Sequence, residues 1–494
     1  MIEALVQALV SILSPWHLTM LTAGVVLGLS LGVIPGVGGV VGLALLLPFT
    51  FDMGPYSAFA FMIGMLAVTT TSDTIPSVLF AVPGTVGSQA TIIDGHAMAK
   101  NGEAGRALGA AFTVSAIGGL FGATVLTLSI PVLGPLVLLF GSPEFFMMAI
   151  LGVSLVVSLS GSAPMKGIVA GGLGFLLAMV GLDPLAGVDR WTFDLIYLWD
   201  GFHVVPVALG LFGMAEMADL VVSGKSIAGE STEKLKGRFV GFQDAFRHWW
   251  LVLRSSALGV WIGTIPGLGS VVVDWFAYGH AVHTEKNTSN FGKGDIRGVI
   301  APESANNAKE GGGLIPTLAF GIPGSTTMAL FLGAMTIQGL EPGPEMLTKH
   351  LGVTFTIGWS LALANILGTG LCFLLANQLA RIATIRGQVL APVLLVIMFL
   401  GAFLARRHVG DMIVLLGFGL FGWSMKRFGW PRPPLIIGFV LGGTVEKYLY
   451  ISMLTYGWSW LMRPSVIILF ILILLTLIYP SLKKSMSKPG ESRE

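Results

Sequence analysis

Two kinds of residue in this chain stand where they could do chemistry. The first are prolines followed by glycine inside apolar runs: Ile34-Pro35-Gly36-Val37-Gly38, Val82-Pro83-Gly84-Thr85, Ile265-Pro266-Gly267-Leu268-Gly269 and Ile322-Pro323-Gly324-Ser325. Proline removes a backbone donor and clashes with the preceding turn, and glycine admits left-handed dihedrals, so a helix should break at each motif. A helix that restarts after a break opens with unpaired N–H groups and the positive end of its dipole, which attract anions. Thr85, Ser88, Ser325, Thr326 and Thr327 add hydroxyls at those starts. This set of groups suits the binding of a small anion.

The second kind are polar patches bounded by apolar runs. One is Thr69-Thr70-Thr71-Ser72-Asp73-Thr74, and the other spans Ala301 to Gly313, with Glu303, Ser304, Asn306, Asn307, Lys309 and Glu310. Hydroxyl and amide oxygens can coordinate Na⁺ or hydrogen-bond a carboxylate. Asp73 or Glu303 could carry a proton or balance a cation, and ionisable groups within a membrane are functional by default. Thr71, Ser72, Asp73 and Glu303 are therefore the candidates for ion coupling. Ser304, Asn306 and Asn307 are the candidate side-chain ligands. For Lys309 and Glu310 an ion pair on an exposed loop fits equally well.

The elements that must position these residues lie in lipid. Of 494 residues, 54% are hydrophobic and 11% charged, and the mean hydropathy is +0.83. Soluble domains carry about 25% charged residues, and only a bilayer accepts apolar side chains on every face of a helix. The net charge of +2 gives no footprint for nucleic acid. Cys372, the single cysteine, excludes a disulfide within the chain and any cysteine-built metal site. No basic segment precedes the first apolar run, and the first Lys or Arg is Lys100, so no cleavable signal peptide is expected. The apolar runs lack the alternation of a membrane barrel. Several are shorter than the ~20 residues of a simple span, which points to half-spanning or re-entrant pieces.

The motifs recur in order. Leu27 to Gly39 returns as Leu258 to Ser270 at an offset of 231 residues, and Ile75 to Thr85 returns as Ile315 to Ser325 at an offset of 240. The chain therefore reads as a duplication. Membrane repeat 1 covers 1–222, a cytoplasmic linker 223–248 and repeat 2 249–462. The last transmembrane helix and a basic cytoplasmic tail occupy 463–494. Lys100 and Arg106 follow the second motif of repeat 1, whereas Glu341 and Glu345 follow its counterpart. If basic loops lie inside, equivalent loops lie on opposite faces. The expected fold is an all-α polytopic membrane protein of two inverted-topology repeats with broken or re-entrant helices. Positive charge is inconsistent at one place: Arg381/Arg386 and Arg406/Arg407 flank one apolar run, so either that run is re-entrant or the rule fails there.

At Gly32–Gly38, Asp94–Gly102, Phe291–Gly294, Ala301–Ala308 and Leu314–Ser325 the sequence resembles the TctA family, the large permease subunit of the tripartite tricarboxylate transporters. The resemblance covers about residues 15–460. It departs from the family pattern at Ala97, where Pro is common, and at Arg297, where an acidic residue is common. It implies secondary active uptake across a bacterial inner membrane, with a small TctB-like membrane subunit and a TctC-like periplasmic solute-binding protein as partners. It also implies a Na⁺ or H⁺ gradient as driving force and no organic cofactor or structural metal. A small di- or tricarboxylate is then expected between the four breaks, at Pro35, Gly36, Gly38, Pro83, Gly84, Thr85, Ser88, Pro266, Gly267, Gly269 and Pro323 to Thr327, with its charge met mainly by helix dipoles and coupling cations.

Two other classes fit parts of the pattern. A carboxylate channel could use the same re-entrant segments. An intramembrane aspartyl enzyme could pair Asp73 with Asp274, but these occupy non-equivalent places in the repeat and no Gly-x-Gly-Asp motif is present. His280 and His283 have metal-ligand spacing and no evident third ligand. No enzymatic activity is expected.

Overall fold

The computed structural model describes residues 1–158, 164–183, 186–223, 235–267, 272–385 and 387–486. Gly269 and residues 224–234 of the charged linker fall outside these residues. The first half runs α1 (Ile2–Ile12), α2 (Pro15–Gly32), α3 (Gly38–Leu46), α4 (Pro55–Ser72), α5 (Thr74–Phe80), α6 (Thr91–Lys100), α7 (Ala104–Val137), α8 (Ser142–Ser158), α9 (Pro164–Ala178), α10 (Val204–Ala208), a π segment over Leu209–Met214, and α11 (Ala215–Ser223). The second half runs α12 (Arg238–Arg247), α13 (Trp249–Gly263), α14 (Val273–Thr284), α15 (Arg297–Phe320), α16 (Thr326–Ile337), α17 (Leu351–Ala383), α18 (Gly387–Arg406), α19 (Val409–Arg427) and α20 (Pro433–Tyr456). Helix α21 (Pro464–Met486) stands outside the repeat. Strand is confined, among the described residues, to a two-residue antiparallel hairpin of Gly181–Leu182 with Asp189–Arg190.

Proline opens α2, α4, α9, α20 and α21, where its missing N–H costs nothing because first-turn donors have no partner within the helix. Seven of the described helices are long and apolar enough to cross a membrane, so this is an all-α, multi-pass membrane protein. The run between the two arginine pairs is one continuous helix, α18, rather than a broken segment. Large apolar side chains on α18, α19 and α21, such as Val393, Ile413 and Leu475, are exposed and form the lipid-facing surface.

Each Pro-Gly motif lies between two helices, and the duplication extends to backbone detail. Gly36 and Gly267 have φ of +83° and +82°. Ala81 and Gly321 end α5 and α15 in the left-handed region, at +56° and +67°. The N–H of Val82 then reaches back to the Pro76 carbonyl at 3.4 Å, as that of Ile322 does to Pro316 at 3.2 Å. Close packing repeats as well. A Cβ on Gly28 would meet the Met65 carbonyl at 2.3 Å, and one on Gly259 the Ala305 carbonyl at 2.4 Å, so α2 lies on α4 as α13 lies on α15, backbone to backbone.

The halves exchange helices reciprocally: α7 packs on α15 while α17 packs on α4, and α12 packs on α7 while α1 packs on α17. Equivalent helices meet antiparallel. Thr369 donates to the Phe112 carbonyl at 3.0 Å, and Gly358 lies against Thr127, so α7 and α17 run in opposite directions. Glu303 is bonded to Thr74, whereas Asn307 reaches Ala67, so α4 and α15 do likewise. These last two form the centre of the molecule. The apolar window of α4–α5 is wholly buried, and nearly every residue of α15 is buried too. That enclosure lets α15 hold Glu303, Asn306, Asn307, Lys309 and Glu310 within the membrane domain; they are buried and not on an exposed loop.

Candidate substrate-binding site

The local sequence explains how the site is held open. After α5 ends at Ala81, the chain runs extended to Thr85, whose φ of −130° and ψ of 174° match those of Ser325, −154° and 173°, in the second half. Both act as helix N-caps. The Thr85 hydroxyl accepts from the Gly87 N–H at 3.2 Å, and the Ser325 hydroxyl from the Met328 N–H at 3.2 Å. The Thr326 and Thr327 amides, at the first two positions of α16, have no acceptor within the helix. Gly84 fits where any side chain would strike the backbone of Asp73, with a Cβ meeting its Cα at 2.6 Å.

A cavity of about 440 Å³ lies where these pieces meet, within the size range of small-molecule sites. Its wall contains the first break (Gly36 to Gly39), the second (Pro83 to Gly87) and the start of α16 (Thr326 and Thr327). Thr69 and Thr70 of α4, Lys309 and Glu310 of α15, Phe212, Glu216 and Arg432 complete it. Two of the four sequence motifs thus line one cavity, together with the helix start that follows a third.

The remaining candidates are placed differently. Pro266 and Gly267 do not line it; the Gly267 N–H donates to the Gly324 carbonyl at 2.9 Å, so the two breaks of the second half close on each other. Pro35, Ser88, Pro323, Gly324 and Ser325 do not line it either. The Ser88 hydroxyl, 2.9 Å from that of Ser77, braces the second break. Ser304 donates to the Ile300 carbonyl of its own helix at 2.8 Å and does not line the cavity; its backbone lies against Gly118 of α7.

Asn306 and Asn307 join the halves. Asn307 donates to the Thr71 hydroxyl at 2.8 Å and to Asn365 Oδ1 at 2.9 Å. Asn306 reaches the Thr70 carbonyl at 3.4 Å and accepts from Lys309. Of the ion-coupling candidates, Asp73 accepts from Thr85, and Glu303 from Thr74 and Thr91, both at 2.6 Å. Ser72 packs against Gly32. The Oδ1 atoms of Asp73 and Asn307 are buried and accept no hydrogen bond. Asp274 does not pair with Asp73; it accepts from the Ala90 N–H at 2.9 Å. Among the described residues no three His, Cys, Asp or Glu side chains gather as a metal site.

Glu216 and Arg432 were not singled out in the sequence. Arg432 lies in Trp430-Pro431-Arg432-Pro433, which reads as a turn, and Glu216 sits in an ordinary helical run. Only packing of the π segment and α11 near the start of α20 brings them to the cavity.

Buried broken helices around a cavity, inside a shell of membrane-crossing helices, define a multi-pass membrane protein built on the plan of a transporter. The chain belongs to the tripartite tricarboxylate transporter TctA family, which it matches over residues 18–437. It is also similar to two Agrobacterium vitis proteins. An uncharacterized 52.8 kDa protein in the TAR-I ttuC' 3' region is 32% identical over 442 residues, which is 90% of this chain and 88% of that one. An uncharacterized protein in the TAR-II ttuC' 3' region is 33% identical over 196 residues, 40% of this chain and 81% of that one. No solved structure matches.

Proposed function

We propose that the chain is the permease of a cation-driven importer of small di- or tricarboxylates in a bacterial inner membrane. It works with a small membrane subunit and receives substrate from a periplasmic binding protein. The observation that carries this reading is the cavity lined by two helix breaks and by the helix start that follows a third. Unpaired amides at Thr326 and Thr327, next to threonine hydroxyls, offer a carboxylate donors without the desolvation cost of many buried cations.

The coupling cation is assigned to the interior behind that wall. Asp73 Oδ1 and Asn307 Oδ1, buried and without donors, are oxygens that Na⁺ could take, and Asp73 could instead carry a proton. Asp73 touches the substrate wall through Thr85 and Gly84, so occupancy of one site bears on the geometry of the other.

The antiparallel meeting of α7 with α17 supports an inverted arrangement of the repeats, because equivalent membrane-crossing helices then run in opposite directions. The halves are also in unlike states. The second-half breaks are bonded together at Gly267 and Gly324, while Gly36 and Gly84, their equivalents, both line the cavity. Exchanging these two states would open the cavity to the other side, as alternating access requires. The closed pair favours a carrier over a channel. Uptake of a panel of labelled carboxylates, with and without the binding protein and under separate Na⁺ and H⁺ gradients, tests the reading. Accumulation that is saturable and gradient-dependent supports it; flux indifferent to both gradients refutes it.

A further inference from the structure

We propose that Arg432 is a specificity-determining residue that reads a second carboxylate, so that the cavity takes small anions with two or more carboxylates in preference to those with one. This rests on the reading above, in which a first carboxylate binds at the helix starts.

The cavity wall has two cations, and donor arithmetic separates them. The Lys309 ammonium has three N–H donors. It faces the Asn306 carbonyl at 2.9 Å, Asn306 Oδ1, and Glu310 Oε1 at 3.2 Å. Two donors are given to Asn306 and the charge is paired with Glu310, so Lys309 fastens α15 internally and its charge is already balanced. The Arg432 guanidinium has five donors. One is given to the Leu211 carbonyl at 2.9 Å and one to Glu216 Oε1 at 2.8 Å. Three remain at a side chain that is 15% exposed on a cavity wall.

The fork is also held in place. Its central carbon lies 5.2 Å from the centre of the Phe212 ring, and its two bonds fix the plane from the same stretch of chain. A planar, anchored guanidinium with three uncommitted donors is the group best suited to hold a carboxylate through two hydrogen bonds. Glu216 would not be left unpaired by such a ligand, because its other oxygen is 2.8 Å from Lys426. The negative charge of Glu216 beside the fork nevertheless repels an incoming carboxylate, which lowers its affinity.

The test uses the full-length permease in detergent, with binding read by thermal shift or calorimetry. The probes are succinate, its monoamide and citrate. The wild type should prefer succinate to the monoamide by on the order of tenfold or more, the worth of one charge-assisted hydrogen-bond pair. Arg432→Gln should weaken succinate and citrate by that factor and leave the monoamide unchanged, bringing the ratio near one. Glu216→Gln should tighten succinate, which a merely structural role for the pair does not produce. If Arg432→Gln does not accumulate in membranes, Arg432→Lys carries the test; it keeps the charge, loses the fork and should reduce the ratio partway. Equal loss for all probes, or an unchanged ratio, overturns the assignment while the carboxylate reading stands. A wild type that binds none of the three probes overturns both.

Discussion

The backbone N–H of Gly267 donates to the Gly324 carbonyl at 2.9 Å, whereas Gly36 and Gly84, in the same places of the first half, share no such bond and both line the cavity. One duplicated motif pair is therefore closed and the other apart within a single conformation. Moving between the two states needs backbone at both breaks to approach closely. A Cβ on Gly324 would meet the Gly263 carbonyl and the Gly313 Cα at 2.9 Å, and one on Gly84 would meet Asp73 at 2.6 Å. Overpacking of this kind costs about 1–3 kcal/mol, so Gly84→Ala and Gly324→Ala should each lower uptake roughly tenfold or more. Gly172→Ala and Gly370→Ala, where an added methyl meets nothing within 4 Å, should transport normally. Uptake normalised to membrane abundance checks both pairs.

Asn307 ties α15 to α4 and α17 through Thr71 and Asn365. Asn307→Ala removes these bonds and leaves the Asn365 oxygen in a buried place without its donor, at about 1–3 kcal/mol. Uptake should fall strongly while the protein still inserts in the membrane. Normal transport by this variant would show that the asparagine is dispensable to the site.

Thr85 links the substrate wall to the cation candidate: it donates to Asp73 and accepts from the Gly87 N–H. Thr85→Val keeps the shape and removes both bonds. The half-saturating concentration of the coupling cation should rise at least severalfold, with a smaller change for substrate at saturating cation. Initial rates over a Na⁺ series and a pH series separate the two. An identical cation dependence in the variant would remove Asp73 from the coupling path.

Much of this was legible from residues alone. The four Pro-Gly breaks, their order and their offsets are local properties of proline and glycine, and the helices end where those residues require it. Asn306, Asn307, Asp73 and Glu303 stood out because polar side chains in apolar runs need partners; the structure gives Asn306, Asn307 and Glu303 partners across the two halves and Asp73 one within its own. What could not be read was which breaks share a cavity. Gly267 and Gly36 have nearly the same φ, and only tertiary packing turns one toward Gly324 and the other toward Glu216. Arg432 was invisible for a similar reason, since a charge at a helix start in a proline-rich turn looks like an ordinary surface group until α20 is docked. Ser304, singled out with the asparagines, spends its hydroxyl on its own helix.

The antiparallel pairing of α7 and α17 predicts opposite exposure of equivalent loops. In a Cys372→Ser background, single cysteines at Asn101 and Glu341, both exposed, should react with an impermeant thiol reagent from opposite faces of the membrane. Labelling of both from one face would rule out inverted repeats.

The most direct measurement is counterflow in proteoliposomes that contain the permease with its small membrane subunit, using labelled succinate and imposed Na⁺ or H⁺ gradients. Saturable exchange, with net accumulation driven by one of the gradients and lost in Gly324→Ala, is the outcome expected of a carboxylate held between helix breaks. Non-saturating flux that ignores both gradients and survives Gly324→Ala would contradict it.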